Sequence, residues 1–350
     1  MLKFTNKFYL KELTEETVSD EKKLFMAALT ALGANAAMAQ SSVTLHGLVD
    51  LEVGKYDGSQ AIRMNTGATS FWGFKGIEDL GGGYKAIFQL EQQFNPNNGT
   101  FYNSSSFFSG RSTVGLEGWF GHLALGRDVN ASHYAEVSAD PFGQNGLVAG
   151  YAARGGISEA NGGPGQIDTV RTNNSANYAY TLGSVTVRAQ VASRDSAVQG
   201  DNIPYSASIV YQSLNLKLAA SFIRPQGDHA HWAYTAGQYD FGFARLYAGY
   251  GVGQNTFSQS IHNQMAGLSI PIGPAQAVMT TFSHTASNGQ TIQCRSALGY
   301  FYFLSKATSV YADVVYDSKS GRFAYGTTGW QATNTSTNGT GYTVGLRHLF

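Results

Sequence analysis

The chain has 350 residues, with 23 Lys and Arg against 23 Asp and Glu, so its formal net charge is zero. This balance argues against nucleic-acid binding, which depends on an excess or a patch of positive charge. Only 13% of the residues are charged and 42 are glycine, whereas about 25% charged residues and about 7% glycine are usual. One cysteine, Cys294, excludes an intramolecular disulfide and a cysteine-rich zinc site. The composition suits a β-rich structure whose surface does not all face water.

The N-terminal segment has the pattern of an export signal. Lys22-Lys23 precedes an apolar run, and small residues follow as far as Ala37-Met38-Ala39. A basic start, an apolar stretch and an A-x-A site are typical of a secretory signal peptide. The alternative is a buried helix of a soluble domain.

We therefore expect residues 1–39 to be a leader, of which 22–39 is the signal-like part, with cleavage after Ala39. Residues 40–350 would then form one domain. The polar stretch 1–21 is unusual in front of such a signal, and the sequence leaves open whether it is translated.

Beyond residue 40 the dominant pattern is alternation, which sends successive side chains to opposite faces of a strand. Val43, Leu45 and Val49 share one face of the first run, and Asp50 and Glu52 share the other. The same period of two appears in the runs 84–91, 111–117, 185–192, 214–222, 310–316 and 342–350.

The connections between these runs look alternately short and long. Gly81-Gly82-Gly83 and Leu182-Gly183-Ser184 are short turn signals, whereas 95–108, 128–168 and 319–338 are long and polar. This asymmetry is typical of outer-membrane barrels. The 311 residues left after removal of 39 from 350 allow roughly 16 strands, and a barrel of that size leaves an aqueous channel.

Alternation alone does not separate a lipid-facing barrel from a secreted lectin-like sandwich. Three further features favour the barrel. The chain ends on an apolar strand face with Phe350, the strands form one meander that can close without free edges, and aromatic residues cluster at strand ends as interfacial girdles require. The aromatic clusters are Phe71-Trp72-Phe74, Trp119-Phe120, Tyr178 with Tyr180, Trp232 with Tyr234, and Tyr300 to Phe303. We therefore predict an all-β fold, a transmembrane antiparallel up-and-down β-barrel.

Several stretches, taken together, resemble the general porins of β-proteobacteria, members of the Gram-negative porin family, over almost all of residues 40–350. They are Ser41-Ser42-Val43-Thr44-Leu45-His46-Gly47-Leu48-Val49-Asp50, Trp72-Gly73-Phe74-Lys75-Gly76-Ile77-Glu78-Asp79-Leu80-Gly81-Gly82-Gly83, Arg111-Ser112-Thr113-Val114-Gly115-Leu116-Glu117-Gly118 with Leu125-Gly126-Arg127, Tyr302-Phe303-Leu304-Ser305-Lys306, and Val344-Gly345-Leu346-Arg347-His348-Leu349-Phe350.

The resemblance implies a sixteen-stranded, homotrimeric channel in the outer membrane, in contact with lipid and lipopolysaccharide, that passes small hydrophilic solutes and ions. It also implies that Phe350 is an assembly signal read by the barrel-assembly machinery, and that a long third loop folds into the lumen as a constriction. The sequence departs from the family at Phe71, where a basic residue is usual, and at Ala307.

Strand parity identifies the charged side chains that would line this lumen. The inward face carries Lys75, Lys85, Arg111, Arg171, Arg188, Lys217 and Arg245, with acids at Glu91, Glu117 and Asp313. Arg127 has the parity of Leu123 and Leu125, so it is inward only if its strand bends or ends there. With the loop acids, the predicted constriction and selectivity residues are Lys75, Lys85, Arg111, Arg127, Arg171, Arg188, Glu136 and Asp140.

The bases in this set outnumber the acids on the same strands, so we predict a weak anion preference. The alternative for each base is a solvated lumen charge with no special role, because charges avoid the lipid face.

No motif for bond chemistry is present in the sequence. The eight histidines show no helical metal-binding pair, Gly81-Gly82-Gly83 does not open a phosphate-binding helix, and no Gly-x-Ser-x-Gly occurs. We expect no catalytic residue, metal or cofactor.

Three functions remain open: a general diffusion porin, a substrate-specific channel that uses Tyr134, Phe142 or Tyr151 in the constriction loop, and a non-conducting adhesin or receptor barrel.

Overall fold

A computed structural model describes residues 41–55, 61–143, 170–194, 202–226, 230–254, 260–286, 291–317, 323–326, 329–332 and 339–350. The predicted leader at 1–39 and Tyr151 lie outside the described residues. Among the residues that the structure does describe, no helix is both long enough and apolar enough to cross a membrane.

Twenty strands and one short helix make up the described part of the chain. They are β1 Ser42–Lys55, β2 Ile62–Thr66, β3 Phe71–Gly81, β4 Tyr84–Asn95, β5 Thr100–Phe101, β6 Ser112–Gly118, β7 Gly121–Val129, α1 Ala131–Ala139, β8 Arg171–Leu182, β9 Val185–Ala192, β10 Tyr205–Gln212, β11 Leu216–Arg224, β12 His231–Asp240, β13 Arg245–Gln254, β14 Ser260–Ile272, β15 Ala275–Ala286, β16 Thr291–Phe303, β17 Thr308–Asp317, β18 Phe323–Gly326, β19 Gly329–Ala332 and β20 Gly339–Leu349.

Sixteen of these strands pair antiparallel, each with the next, and close into a barrel. Closure is made by β1, whose first half pairs with β3 and whose second half pairs with β20. The strands β2, β5, β18 and β19 are short additions to the wall or the loops. This confirms the predicted barrel, which satisfies the backbone hydrogen bonds that an open sheet edge would leave exposed to lipid.

The connections alternate in length along the barrel, as the sequence predicts. The turns after β3, β6, β8, β10, β12, β14 and β16 are two to four residues long, whereas the chain runs much further from β4 to β6 and from β7 to β8. The barrel therefore has a short-turn end and a long-loop end. In outer-membrane barrels the short turns face the periplasm and the long loops face the cell exterior.

The strand β2 continues the line of β3 along β1, and the two are separated by residues 67–70. These residues turn inward over Asp50, whose Oδ2 accepts from the Ala68 N–H at 2.9 Å and whose own N–H donates to Ser70 Oγ at 3.0 Å. The interruption therefore buries one carboxylate of the inner wall.

The outward face of the wall is apolar. Leu45 is 53% exposed, Val114 62% and Val344 60%, and their positions alternate with inward polar residues such as Asp50 and Thr113. Side chains of this kind cannot be left in water over a whole barrel, so the exposed face is suited to lipid.

Aromatic side chains mark the short-turn end of the outward face. Trp119 Nε1 donates to the Tyr84 hydroxyl at 2.8 Å, and the ring centroids of Tyr84 and Phe120 lie 6.3 Å apart. Aromatic girdles of this kind occupy the membrane–water interface.

Trp232 and Tyr234 do not belong to this girdle, and their assignment to it was wrong. Both side chains point inward and are almost completely buried in a cluster with Ile223 and Ile261. Their rings cover Gly251 and Gly249 of β13, where a side chain would collide with them. Phe71 also lies inward, with its ring centroid 5.6 Å from that of His46.

Candidate channel lumen

The helix α1 lies inside the barrel and is attached to the inner wall at its N-terminus. Asn130 Oδ1 accepts from the His133 N–H at 2.9 Å and so caps the helix. The Ala131 N–H donates to Ser206 Oγ of β10 at 2.9 Å, and Ser132 Oγ lies 3.1 Å from Ser221 Oγ of β11. These contacts hold the predicted constriction loop against β10 and β11.

The loop continues past α1 to an apolar anchor on the other side of the lumen. Phe142 is buried among Val278, Ala297 and Val315, and its ring centroid lies 6.1 Å from that of Phe301. The Phe142 N–H donates to Asp140 Oδ1 at 2.8 Å, which fixes the turn before the anchor. The described loop, residues 130–143, therefore crosses the lumen from β10 to the β15–β17 wall.

The two acids predicted in this loop, Glu136 and Asp140, are both buried. Glu136 Oε1 accepts from Ser132 Oγ at 2.7 Å within α1, and Asp140 belongs to the turn before Phe142. Both side chains lie within the packed loop. Their position in the predicted constriction loop did not reveal this burial.

Arg111 is the centre of the charged residues on the β4–β7 wall. Its Nε lies 3.3 Å from Asp128 Oδ1 and 3.8 Å from Glu91 Oε2. Its Nη1 donates to Gln89 Oε1 at 3.1 Å, and its Nη2 donates to the Tyr134 hydroxyl at 2.8 Å. This side chain is fixed, and two carboxylates offset its charge.

Tyr134 of α1 lies between two arginines. The Arg188 guanidinium is 4.3 Å from the centre of its ring, within cation–π range, while Arg111 donates to its hydroxyl. The Tyr134 hydroxyl accepts that hydrogen bond, and burial raises the pKa of its phenol above the ordinary value. Tyr134 thus links the loop to the basic wall.

Two lysines complete this inner group, which we define as Lys75, Lys85, Arg111 and Arg188 together with Glu91, Glu117 and Asp128. Lys85 Nζ lies 3.0 Å from Glu117 Oε1. Lys75 is exposed on the inner face of β3, and it shows no ion pair with the residues that are described. Four bases against three carboxylates leave one net positive charge in the inner group, which borders a cavity of about 480 Å³.

Arg127 and Arg171, also predicted at the constriction, lie next to this group towards the long loops, and the charge of Arg171 interacts with those of Glu91 and Arg111. The pairing of β7 with β8 shifts register between Gly126 and Asp128, and Asn174 in β8 adopts a left-handed backbone with φ 52°. Beyond this bulge both arginines line a second cavity at the long-loop end, of about 370 Å³. Arg127 does not face the lipid, because β7 is irregular at Gly126–Asp128, where the condition for an inward Arg127 is met.

Lys217 and Arg245 also lie on the inward face, but they neither belong to the inner group nor line the second cavity. Lys217 Nζ approaches the Ser138 carbonyl oxygen at 3.5 Å, and Arg245 Nη2 pairs with Asp240 Oδ2 at 2.6 Å near the short turn after β12. Their charged ends therefore contact other parts of the wall and loop, away from the inner group.

A group of buried acids lies on the inner side of the β17–β20–β1 wall, and only Asp313 among them was singled out from the sequence. The buried Asp50 Oδ2 accepts from Arg347 Nε at 2.7 Å. The Tyr311 hydroxyl lies 2.6 Å from Asp50 Oδ1 and 3.1 Å from Glu52 Oε2. Asp313 lies on the same wall.

The acidic group thus has three carboxylates against Arg347. The alternation in β1 places Asp50 and Glu52 on its polar face. The sequence did not show that β20 pairs with both β1 and β17, which brings these two acids close to Asp313.

Phe350, the predicted assembly signal, lies at the seam of the barrel. The Gly47 N–H donates to the Phe350 carbonyl at 2.9 Å, and the Phe350 N–H donates to the Gly47 carbonyl at 3.1 Å. Its ring covers Gly47, which leaves no room for a side chain there.

Comparison with known proteins agrees with this arrangement. The sequence profile of the Gram-negative porin family matches residues 26–322. Outer membrane porin protein 32 of Delftia acidovorans is 31% identical, over 94% of this chain and 100% of that relative. An outer membrane porin of Bordetella pertussis is 29% identical over the same shares.

Solved structures agree as well. The anion-selective porin from Comamonas acidovorans has a TM-score of 0.72 and 26% identity, over 89% of this chain and 100% of that one. OmpT of Vibrio cholerae in its trimer form, 12% identical with a TM-score of 0.64 over 89% and 99%, shares the fold. A closed sixteen-stranded barrel with a loop across its lumen, together with these matches, shows that the chain belongs to the Gram-negative porin family and is a porin of the outer membrane.

Proposed function

We propose that the protein forms a water-filled channel for passive diffusion of small hydrophilic solutes and ions, with a weak preference for anions. The observation that carries the preference is the inner group, where Arg188 and Lys75 have no carboxylate partner in the described part of the chain. The anion selectivity of the porin from Comamonas acidovorans supports the sign. Charges beside the narrowest part of a channel select the sign of the permeating ion.

The test is the reversal potential of the purified channel in a planar bilayer under a KCl gradient. We expect a modest anion preference that shifts towards cations in the double variant Lys75→Gln, Arg188→Gln. Lys306→Gln, a matched charge removal in the exposed turn after β16, should leave the potential unchanged. A cation preference of the unmodified channel would reject the proposal, and a protein without conductance would favour the adhesin or receptor alternative.

A substrate-specific channel is the second candidate, because Tyr134 lies between Arg111 and Arg188 beside the inner cavity. Saturable block of the current by one class of solute, absent with others of equal size, would favour it over general diffusion.

The same proposal includes the partners and processing of the protein. The apolar outer wall suits lipid, with lipopolysaccharide in the outer leaflet, and a homotrimer is supported by the trimer form of OmpT, an outer membrane protein with the same fold. We further propose that residues 1–39 are a cleavable leader, that the barrel-assembly machinery reads Phe350, and that the protein, whose family and fold are those of a channel, catalyses no reaction.

A further inference from the structure

The inner wall beneath the constriction loop has glycine where the loop tip comes closest to it. A Cβ placed at Gly267 of β14 would lie 2.5 Å from Pro141 Cγ, and one placed at Gly299 of β16 would lie 2.6 Å from Phe142 Cε1. Carbon atoms that are not bonded to each other pack at about 3.5–4.0 Å. The tip therefore lies closer to the wall than a side chain at either position would allow.

Gly267 is the cleaner of the two positions, because the loop alone limits the space there. The next nearest atoms to its Cβ position are the Met279 carbonyl oxygen and Thr280 Cγ2, both at 3.4 Å, which is ordinary contact. At Gly299, by contrast, Asp313 Oδ1 of the wall itself would lie 2.5 Å from the new atom. A substitution at Gly267 therefore acts on the loop and leaves the wall undisturbed.

The backbone at Gly267 does not require a glycine. The residue lies within β14, where it pairs with Tyr247 of β13 and Thr280 of β15, and it is not among the glycines of positive φ. A glycine inside a strand weakens the strand, and it often marks a place where another part of the chain approaches closely. The contact with Pro141 accounts for a glycine at this position.

The wall is also smooth beneath the preceding part of the loop. The rings of Trp232 and Tyr234 lie across Gly251 and Gly249 of β13, where a Cβ would collide with them. The helix α1 packs on β11 and on β12, the strand that carries both rings. Because rings that lie flat take up little depth, the loop follows the wall closely from β11 to β16.

Movement of the loop tip away from β14 would narrow the passage. Among the sixteen barrel strands in order, β14 is the twelfth and β6 the fourth, so the two lie opposite each other. Arg111 of the inner group immediately precedes β6. A tip that moves away from Gly267 therefore moves towards the inner group and reduces the open cross-section between them.

We propose that Gly267 sets the size limit for solutes in this channel, because it lets Pro141 lie directly against the inner wall. A methyl group at position 267 requires Pro141 to move by about 1 Å to reach a normal contact distance. The inference rests on the proposed diffusion channel. It does not depend on the anion preference, since the open cross-section limits neutral and charged solutes alike.

The test is the size of neutral polymer that enters the full-length channel in a planar bilayer. Poly(ethylene glycol) of graded mass lowers the KCl current only if it enters the lumen. We expect Gly267→Ala to exclude polymers that enter the unmodified channel. Gly267→Val should exclude smaller ones still, with a conductance about twofold lower. Gel mobility of unheated samples identifies the folded barrel in each variant.

Pro141→Ala distinguishes displacement of the loop from distortion of the strand. It removes the Cγ atom that the new methyl group meets, so the double variant Gly267→Ala, Pro141→Ala should have the size limit of Pro141→Ala alone. Gly237→Ala is the matched control. Gly237 also lies inside a strand, but a Cβ there would lie nearest to Leu218 Cδ2 on the outward face, so the size limit should not change.

Three results would overturn this inference while leaving a conducting channel in place. They are an unchanged size limit in both Gly267 variants, a reduced limit that Pro141→Ala does not restore, and a raised conductance, which would mean that the tip detaches from the wall. Gly267→Ala alone decides the matter if Gly267→Val does not fold. An unmodified protein without conductance would instead reject the proposed function.

Discussion

At the scale of single residues, two arginine–aspartate pairs of similar length differ in environment. Arg347 Nε lies 2.7 Å from Asp50 Oδ2, and that carboxylate is fully buried. Arg245 Nη2 lies 2.6 Å from Asp240 Oδ2 beside an exposed turn. Removing one partner of a buried pair leaves an uncompensated charge away from water, whereas an exposed partner is simply solvated. The two pairs should therefore contribute unequally to stability.

Arg347→Gln should lower the free energy of unfolding by about 3–5 kcal/mol, because Asp50 keeps only its contacts with Tyr311 and the Ala68 N–H. Guanidinium unfolding in lipid vesicles, followed by tryptophan fluorescence, measures this change. Arg245→Gln is the control and should have a much smaller effect. Equal losses in the two variants would show that burial does not determine the contribution of the pair.

At the scale of elements, the period of two predicted the strands and most of their inward charges, because a closed sheet forces alternate residues to opposite faces. It failed where the sheet is irregular. The bulge at Gly126 and Asn174 turns Arg127 inward, although its parity along β7 is that of Leu123 and Leu125. No alternation pattern encodes which strand pairs out of register.

The aromatic residues of β12 show a second limit of the sequence. Trp232 and Tyr234 were assigned to the lipid interface because aromatic residues at strand ends are common there. Their inward burial depends on Gly249 and Gly251 in the neighbouring strand. Glycines spaced by two in β13 were a signal for this packing, but it can be read only once β12 is known to pair with β13.

The constriction loop is the element whose position should be most sensitive to one side chain. Phe142→Ala removes the anchor among Val278, Ala297 and Val315. Loss of a buried phenylalanine side chain costs about 3–5 kcal/mol, which is enough to release the loop tip. We expect higher and noisier single-channel conductance in planar bilayers. Phe243→Ala, at an exposed short turn, should conduct as the unmodified protein does, and a Phe142→Ala channel of unchanged conductance would contradict the anchoring role.

At the scale of the whole molecule, charge is divided around the lumen. Bases predominate on the β3–β11 part of the wall, from Lys75 to Arg224, and carboxylates predominate on β17, β20 and β1, where Asp50, Glu52 and Asp313 face Arg347. The zero net charge of the sequence conceals this separation. The distribution of charge around the wall therefore depends on which strands the closure brings together.

Closure itself joins the two ends of the described chain, at the pairing of β1 with β20 and at Phe350. The two backbone hydrogen bonds between Phe350 and Gly47 survive Phe350→Ala, and only the ring contact is lost. If the ring serves recognition by the assembly machinery, refolding of the purified variant in detergent should be nearly normal, while its amount in the outer membrane of cells falls severalfold.

Gel mobility of unheated samples measures the folded barrel in both settings, and Leu349→Ala, one residue earlier and also exposed, is the control. Equal loss in detergent and in cells would instead assign the Phe350 ring a structural role at the seam. Equal loss in the two variants in cells would mean that the machinery does not distinguish the terminal residue. The comparison separates two steps. Closure of the barrel depends on hydrogen bonds within the chain, whereas insertion into the outer membrane of cells requires the assembly machinery.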